Sequence, residues 1–316
     1  MVIINLILLL ICLFVLLKSA DYATKYSSEA AKHCHISEFL ISFFVVAFVV
    51  ILPETTISFI SAIQGHSELA LGTLIGSNVA DLTLIFGIIA LFSFKGVKVK
   101  SKILKNTFFY LILLFLPLLL GIDGSFTRID GAILLCAGIL FFIKLYHDGK
   151  SLHKKTFHKN KESLFKVLIL LILSLVILVI TAYFTVKFGI NFANEIHVPL
   201  ILVGLTVIGV GSCLPELIFS IKAVRKNHNE LALGDILGSV ILDATVILGI
   251  VILISPFSVP ALTEHITAFS MFFATFFVVL FMRTDHLLSK HEGIMLILAY
   301  ILFLIVEFFV NKTYCF

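Results

Sequence analysis

The sequence predicts an all-α membrane protein of ten transmembrane helices arranged as two inverted repeats of five. Three observations predict it. Of 316 residues, 60% are hydrophobic and only 13% are Asp, Glu, Lys or Arg, against about 45–50% apolar and about 25% charged in a soluble domain. The apolar residues gather into runs long enough to cross a bilayer. The second part of the chain also repeats the first at a constant shift of 162 residues. A soluble enzyme is excluded, and the short Lys and Arg clusters between apolar runs give no support to nucleic-acid binding.

A hydrocarbon core of about 30 Å needs about 20 apolar residues per helix. Runs of that kind lie near 2–17, 36–63, 69–93, 103–121, 129–146, 166–188, 198–222, 231–254, 265–283 and 293–310. Helices are required because a backbone in lipid must satisfy its own hydrogen bonds, and continuous runs such as Leu164–Ile180 lack the alternation of a membrane barrel. The first run has no basic segment before it and no small-residue cleavage site, so it reads as an uncleaved helix. The five cysteines, Cys12, Cys34, Cys136, Cys213 and Cys315, show no CxxC spacing and indicate neither a disulfide framework nor a zinc site.

Positive loops stay on the cytoplasmic side. Twenty of the 23 Lys and Arg residues fall between odd and following even spans, leaving Arg128, Lys187 and Lys312 for the opposite side. A multi-pass protein of the cell membrane with both termini outside is therefore expected. The basic stretch from His147 divides the chain into a first repeat (1–146), a cytoplasmic linker (147–165) and a second repeat (166–316).

At the 162-residue shift Pro53-Glu54 falls on Pro215-Glu216, and 13 of the 23 positions from His66 to Ile88 are identical to His228–Ile250. Apolar bias does not reproduce His, Glu, Asp, Ser and Gly together, so the halves share an ancestor. Five spans per half invert the second half in the membrane. That is the topology of secondary transporters, whose site lies at the repeat interface among interrupted helices. Pro53 and Pro215 are expected to break helices 2 and 7, and Gly72, Gly76, Gly234 and Gly238 to loosen helices 3 and 8.

A carboxylate at mid-bilayer costs at least about 2.5–3.5 kcal/mol and usually faces a cavity. Glu54, Asp81, Glu216 and Asp243 lie deep inside their spans, without an intramembrane Lys or Arg. Each Glu precedes its Asp by 27 residues on consecutive helices, a spacing that lets each pair meet. Ser77 and Ser239 lie four residues before Asp81 and Asp243, on the same helical face. Carboxylates, hydroxyls and carbonyls released at the proline breaks suit a hard cation such as calcium, with six to eight oxygen ligands. Cys213 is the one soft donor near the motif. Asp235 is expected at the start of helix 8, in solvent or on the path to the site, and Glu307 at the membrane interface.

These residues resemble the Ca2+/cation antiporter superfamily, and within it the prokaryotic sodium/calcium exchangers. That family carries G-T/S-S-x-P-E followed by G-N-x-x-G-S-N and a polar residue in each half. The second repeat here reads Gly211-Ser212-Cys213-Leu214-Pro215-Glu216, then Gly234-Asp235-Ile236-Leu237-Gly238-Ser239, then Asp243. The first reads Val49-Val50-Ile51-Leu52-Pro53-Glu54, then Gly72-Thr73-Leu74-Ile75-Gly76-Ser77-Asn78, then Asp81. The resemblance implies that Glu54 and Glu216 are the central cation ligands, completed by Ser77, Ser239, Asp81 and Asp243. It further implies backbone oxygens from Val50, Ser212 and the turns near Ala47 and Gly209, and a sliding gate made of helices 1 and 6.

The function expected is exchange of Ca2+ for Na+ by alternating access, with no cofactor and with these ions as substrates. A monomer in the lipid bilayer is expected, because one chain encloses the site. The chain departs from the family at Val50, Ile51 and Cys213, where hydroxyls are lost, and at Asp81, where an acid is gained. Those departures keep Ca2+/H+ antiport open as an alternative. Four acids in one pocket titrate as a coupled set, so calcium binding is expected to release protons in either version. An intramembrane aspartyl protease is a remote alternative, because the repeat duplicates the glutamates as well as the aspartates. A cation channel is disfavoured by a site enclosed within one chain.

Overall fold

The computed structural model describes residues 2–33, 51–93, 96–98, 107–149, 163–225, 229–259, 261–283 and 287–313. Helix α1 spans Val2–His33, α2 Leu52–Ile63, α4 Thr107–Leu120, α5 Arg128–Gly149 and α6 Leu164–Ile196. The remaining long helices are α9, Ala261–Arg283, and α10, Lys290–Thr313. Three helices are interrupted. Helix α3 runs Ser67–Ala80, passes through a π-helical turn at Asp81–Ile85 and resumes as Phe86–Phe92. Helix α7 (Leu200–Arg225) contains a π turn at Gly204–Ile208 and a break at Cys213. Helix α8 is built as Asn229–Leu242, a π turn at Asp243–Ile247, and Leu248–Ile254.

Six helices, among them α1, α3 and α6, are long and apolar enough to cross a membrane, and Leu111–Leu120 and Phe269–Met282 form shorter apolar stretches. Where the sequence ends the first span at residue 17, α1 continues to His33. Residues 18–33 hold four Ala and three Lys, which favour helix, and Lys18 pairs with Asp21 at 3.7 Å on that extension. Lys18 and Lys25 are therefore helical rather than loop residues. Helix α6 likewise outruns its predicted end and stops at His197, whose left-handed φ of 54° precedes Pro199. The first half of the predicted second span and most of the basic linker lie outside the described residues.

The most central helices are α3 and α8, buried over 83% and 78% of their apolar windows, whereas α1 and α6 are buried over only 28% and 22%. A helix apolar on all sides is stable at the centre of a bundle or in lipid, and these pairs show the two outcomes. The predicted loosening of α3 at Gly72 and Gly76 does not occur. Both glycines sit inside regular helix and let α7 approach: a methyl at Gly76 would fall 2.5 Å from the Leu205 carbonyl oxygen. Small residues play this part where helices pack within membranes. From the other side, a methyl at Gly204 would fall 2.8 Å from the Leu69 carbonyl and one at Gly209 3.0 Å from the Ser77 nitrogen. Gly204 and Gly209 are five residues apart, and the π turn between them keeps both toward α3.

Elements from the two halves pair reciprocally. Gly87 of α3 meets Gly293 of α10, and Gly249 of α8, which is Gly87 shifted by 162, meets Gly131 of α5. The short strands β1 (Val97–Lys98) and β2 (Ser125–Phe126) follow the same rule, with β1 antiparallel to β4 (Leu287–Leu288) and β2 antiparallel to β3 (Phe257–Ser258).

Candidate functional site

Each glutamate opens a helix just after a proline. Pro53 lies in the first turn of α2, and Pro215 follows the break at Cys213. Proline is tolerated there because the first helical N–H groups have no intrahelical acceptor. Pro215 offers no N–H to the Gly211 carbonyl, so a backbone oxygen is released one turn before Glu216. Each aspartate opens a π turn. The Phe86 N–H reaches back five residues to the Asp81 carbonyl, and the Leu248 N–H to the Asp243 carbonyl. Single π turns are frequent at functional sites because they deprive one carbonyl of its usual donor.

The four carboxyls come from α2, α3, α7 and α8, and each residue is at most 2% exposed. Glu54 and Asp81 lie within electrostatic reach of both Glu216 and Asp243. Among the described residues both Glu54 carboxyl oxygens, Asp81 Oδ1, Glu216 Oε2 and Asp243 Oδ1 have no hydrogen-bond partner. Buried polar groups are normally paired, and these four acids leave oxygens without a partner among the described residues. As the side chains stand, no three His, Cys, Asp or Glu residues among those described converge closely enough to hold a metal ion.

The serines predicted for the site present acceptor oxygens. Ser77 donates its hydroxyl proton to the Leu74 carbonyl at 2.9 Å, Ser239 to Ile236 at 3.0 Å and Ser212 to Gly209 at 3.1 Å. With the proton committed to the backbone, each hydroxyl keeps lone pairs for a cation. The Gly209 carbonyl is thus partly occupied by Ser212. Ala47 and Val50 lie outside the described residues.

Four further groups join the pocket. Asp235 acts on Asp81 and Glu216, and its Oδ2 is buried without a partner among the described residues; it faces inward rather than into solvent. Ser58 and Ser220 are fully buried, with no partner for either hydroxyl among the described residues. They lie one turn after Glu54 and Glu216 and are themselves 162 residues apart. The Cys213 thiol faces Asp81, Glu54 and Glu216. The shift that pairs the glutamates would have found the two serines, whereas Asp235 has only Thr73 as its mate. Glu307, expected at the interface, is fully buried.

The profile of the sodium/calcium exchanger protein family matches residues 4–146 and 166–309. The sodium/calcium exchanger MaX1 of Methanosarcina acetivorans is 27% identical over 98% of this chain and all of its own length. The inner membrane protein YrbG of Escherichia coli is 29% identical over 79% of each chain. Among solved structures, the sodium-calcium exchanger NCX_Mj soaked with Na+ and Sr2+ superposes with a TM-score of 0.66 at 27% identity, covering 96% of this chain and 98% of that one.

Proposed function

We propose that this chain, which belongs to the sodium/calcium exchanger protein family, exchanges Ca2+ for Na+ at a site formed by Glu54, Asp81, Glu216 and Asp243. It is a transporter rather than an enzyme, it is embedded in the membrane, and cations are its substrates. The observation that carries the finer reading is the set of four buried carboxyls on four helices with unpartnered oxygens.

Ser77, Ser212 and Ser239 add hydroxyl oxygens, and the Val50 and Ser212 carbonyls with the backbone at Ala47 and Gly209 complete the oxygen set. Six to eight such ligands suit calcium, and the same oxygens divided among separate positions take several monovalent ions instead. Either cargo neutralises the pocket, and only a neutralised pocket crosses between outward and inward openings at low cost. If more than two sodium ions enter per calcium expelled, each net charge contributes about 2.3 kcal/mol per 100 mV, and an inside-negative potential drives calcium out.

The repeat supports ten spans in two inverted halves, 1–146 and 166–316, joined by the basic segment 147–165. The Lys and Arg distribution supports termini on the outside, and enclosure of the site within one chain supports a functional monomer. The reciprocal contacts Gly87 to Gly293 and Gly249 to Gly131 are those a two-fold axis between the halves would generate.

Ca2+/H+ exchange is the second reading. It is favoured by Asp235, a fifth acid at the pocket, and by the missing hydroxyls at Ile51 and Cys213. Calcium-45 uptake into proteoliposomes under an outward sodium gradient, compared with an outward proton gradient at matched potential, separates the two. Sodium-driven uptake is expected, and it should vanish in Glu54→Gln and in Glu216→Gln. Wild-type flux in both variants would overturn the site.

A further inference from the structure

The two glycine pairs that the 162-residue shift equates have opposite surroundings. On α3 a methyl at Gly72 would fall 2.3 Å from the Ile201 carbonyl oxygen and one at Gly76 2.5 Å from that of Leu205, so α7 lies hard against this face. On α8 a methyl at Gly234 or Gly238 would meet no atom of the described residues within 4 Å. Gly234 is exposed and Gly238 half-buried, in a helix whose apolar window is 78% buried. The difference is written in the sequence. Helix α7 closes on α3 through Gly204 and Gly209, where a methyl would strike the α3 backbone, and the repeat mates of these glycines are Ser42 and Ala47. Asp235 stands between the two open glycines. It is half-buried, and its Oδ2 is buried without a partner among the described residues. Its repeat mate Thr73 is fully buried and donates its hydroxyl proton to the Leu69 carbonyl at 2.8 Å. Asp235, Ser239 and Asp243 follow at i, i+4 and i+8 along one side of α8, climbing about 12 Å from the start of the helix to the acids of the site.

We infer that cations reach the site along α8, through the open strip beside Gly234 and Gly238, and that the Asp235 carboxylate captures them on the way. The inference rests on the reading of Glu54, Asp81, Glu216 and Asp243 as a cation site and adds the route to it. An acid within a membrane span is costly and usually marks an ion pathway. On the wall of a low-dielectric cleft it concentrates cations and speeds their arrival. One turn beyond Asp235 the Ser239 hydroxyl, its proton committed to the Ile236 carbonyl, is the next oxygen, and Asp243 follows one turn further. A cation passes from one oxygen to the next, and no step requires several acids to hold it together. Helix α3 carries the same ladder in Ser77 and Asp81 but begins it with the sealed Thr73, so capture of this kind belongs to one half alone. The strip lies near the turn between α7 and α8, the side that Lys222, Arg225 and Lys226 assign to the cytoplasm. Asp235 therefore serves cations arriving from that side.

The test uses the full chain in inverted and right-side-out membrane vesicles. In a chain lacking its own cysteines, Gly234→Cys should react with a membrane-impermeant trimethylammonium methanethiosulfonate applied on the side of the α7–α8 turn. Ala232→Cys, at a fully buried position two residues earlier, should not react. In the chain with its own cysteines, the calcium concentration for half-maximal calcium-45 exchange is measured from each face. Asp235→Asn should raise the ratio of the value on the turn side to that on the far side by about tenfold or more, and Asp235→Glu should keep the wild-type ratio. An unreactive Gly234→Cys overturns the inference. So does an unchanged ratio in Asp235→Asn, including equal weakening on both faces, which a merely structural role for Asp235 would produce. If the wild-type chain exchanges no calcium, the calcium reading falls, and the route stands or falls by whether Gly234→Cys reacts while Ala232→Cys does not. The same reaction decides if Asp235→Asn fails to fold.

Discussion

A helical serine buried away from water normally gives its proton to a carbonyl three or four residues back, as Ser61 does to Ile57 at 2.8 Å and as Ser77, Ser212 and Ser239 do. Ser58 and Ser220 do not. Side chains on a helix lean toward its N-terminus, so each of these hydroxyls sits on the face of the glutamate one turn earlier, although neither is bonded to it in this structure. We propose that on cation binding Ser58 and Ser220 donate to Glu54 and Glu216 and hold each carboxylate in the orientation the cation needs. A hydrogen bond to a charged group contributes about 1.5–3 kcal/mol. Ser58→Ala and Ser220→Ala should therefore each raise the calcium concentration for half-maximal exchange about tenfold or more. Ser61→Ala should leave it within about twofold, since its hydroxyl serves only the α2 backbone. Equal effects in all three variants would mean that Ser58 and Ser220 do no more than fill space.

At the scale of elements, interruptions and close crossings set the geometry of the site. The reciprocal glycine contacts give a direct check. A methyl at Gly87 would fall 2.6 Å from the Gly293 carbonyl oxygen, and one at Gly249 2.8 Å from the Gly131 carbonyl oxygen. Overpacking of this kind costs about 1–3 kcal/mol, so Gly87→Ala and Gly249→Ala should lower the melting temperature of the detergent-solubilised protein by similar amounts. A loss confined to one of them would show that the two crossings are not equivalent. The sequence made much of this level legible. The 162-residue shift located Glu54, Asp81, Glu216 and Asp243, because duplicated polar residues stand out in an apolar chain. It misassigned Gly72 and Gly76, since a glycine that loosens a helix and one that admits a neighbour look alike until the neighbour is known. The π turns left no mark in composition, because they differ from α-helix only in which carbonyl each N–H reaches.

At the scale of the whole molecule, the packing of the described residues divides into two cores. The larger joins the buried faces of α3, α7 and α8 with parts of α4, α5, α9 and α10. The smaller sets Leu9, Leu13 and Leu16 of α1 with Ala182, Val186 and Ala193 of α6 against Ile57, Leu69, Val203 and Ile208. Helices α1 and α6 pack chiefly on each other, while the glycine crossings and the strand pairs β1 with β4 and β2 with β3 tie the two halves of the larger body together. We propose that α1 and α6 move as one body across this apolar seam. Its seam passes the site: a methyl at Gly211, two residues before Cys213, would fall 3.0 Å from Leu13 Cδ1. If exposure of the site alternates by sliding of α1 and α6, a covalent tie at this point must stop exchange without removing the ligands. With Leu13→Cys and Gly211→Cys introduced into a chain lacking its other cysteines, a short bifunctional thiol reagent should abolish calcium-45 exchange. Equilibrium calcium binding should persist, and reduction of the tie should restore flux. Exchange that continues after complete bridging would place the moving boundary elsewhere, between the two halves of the larger core.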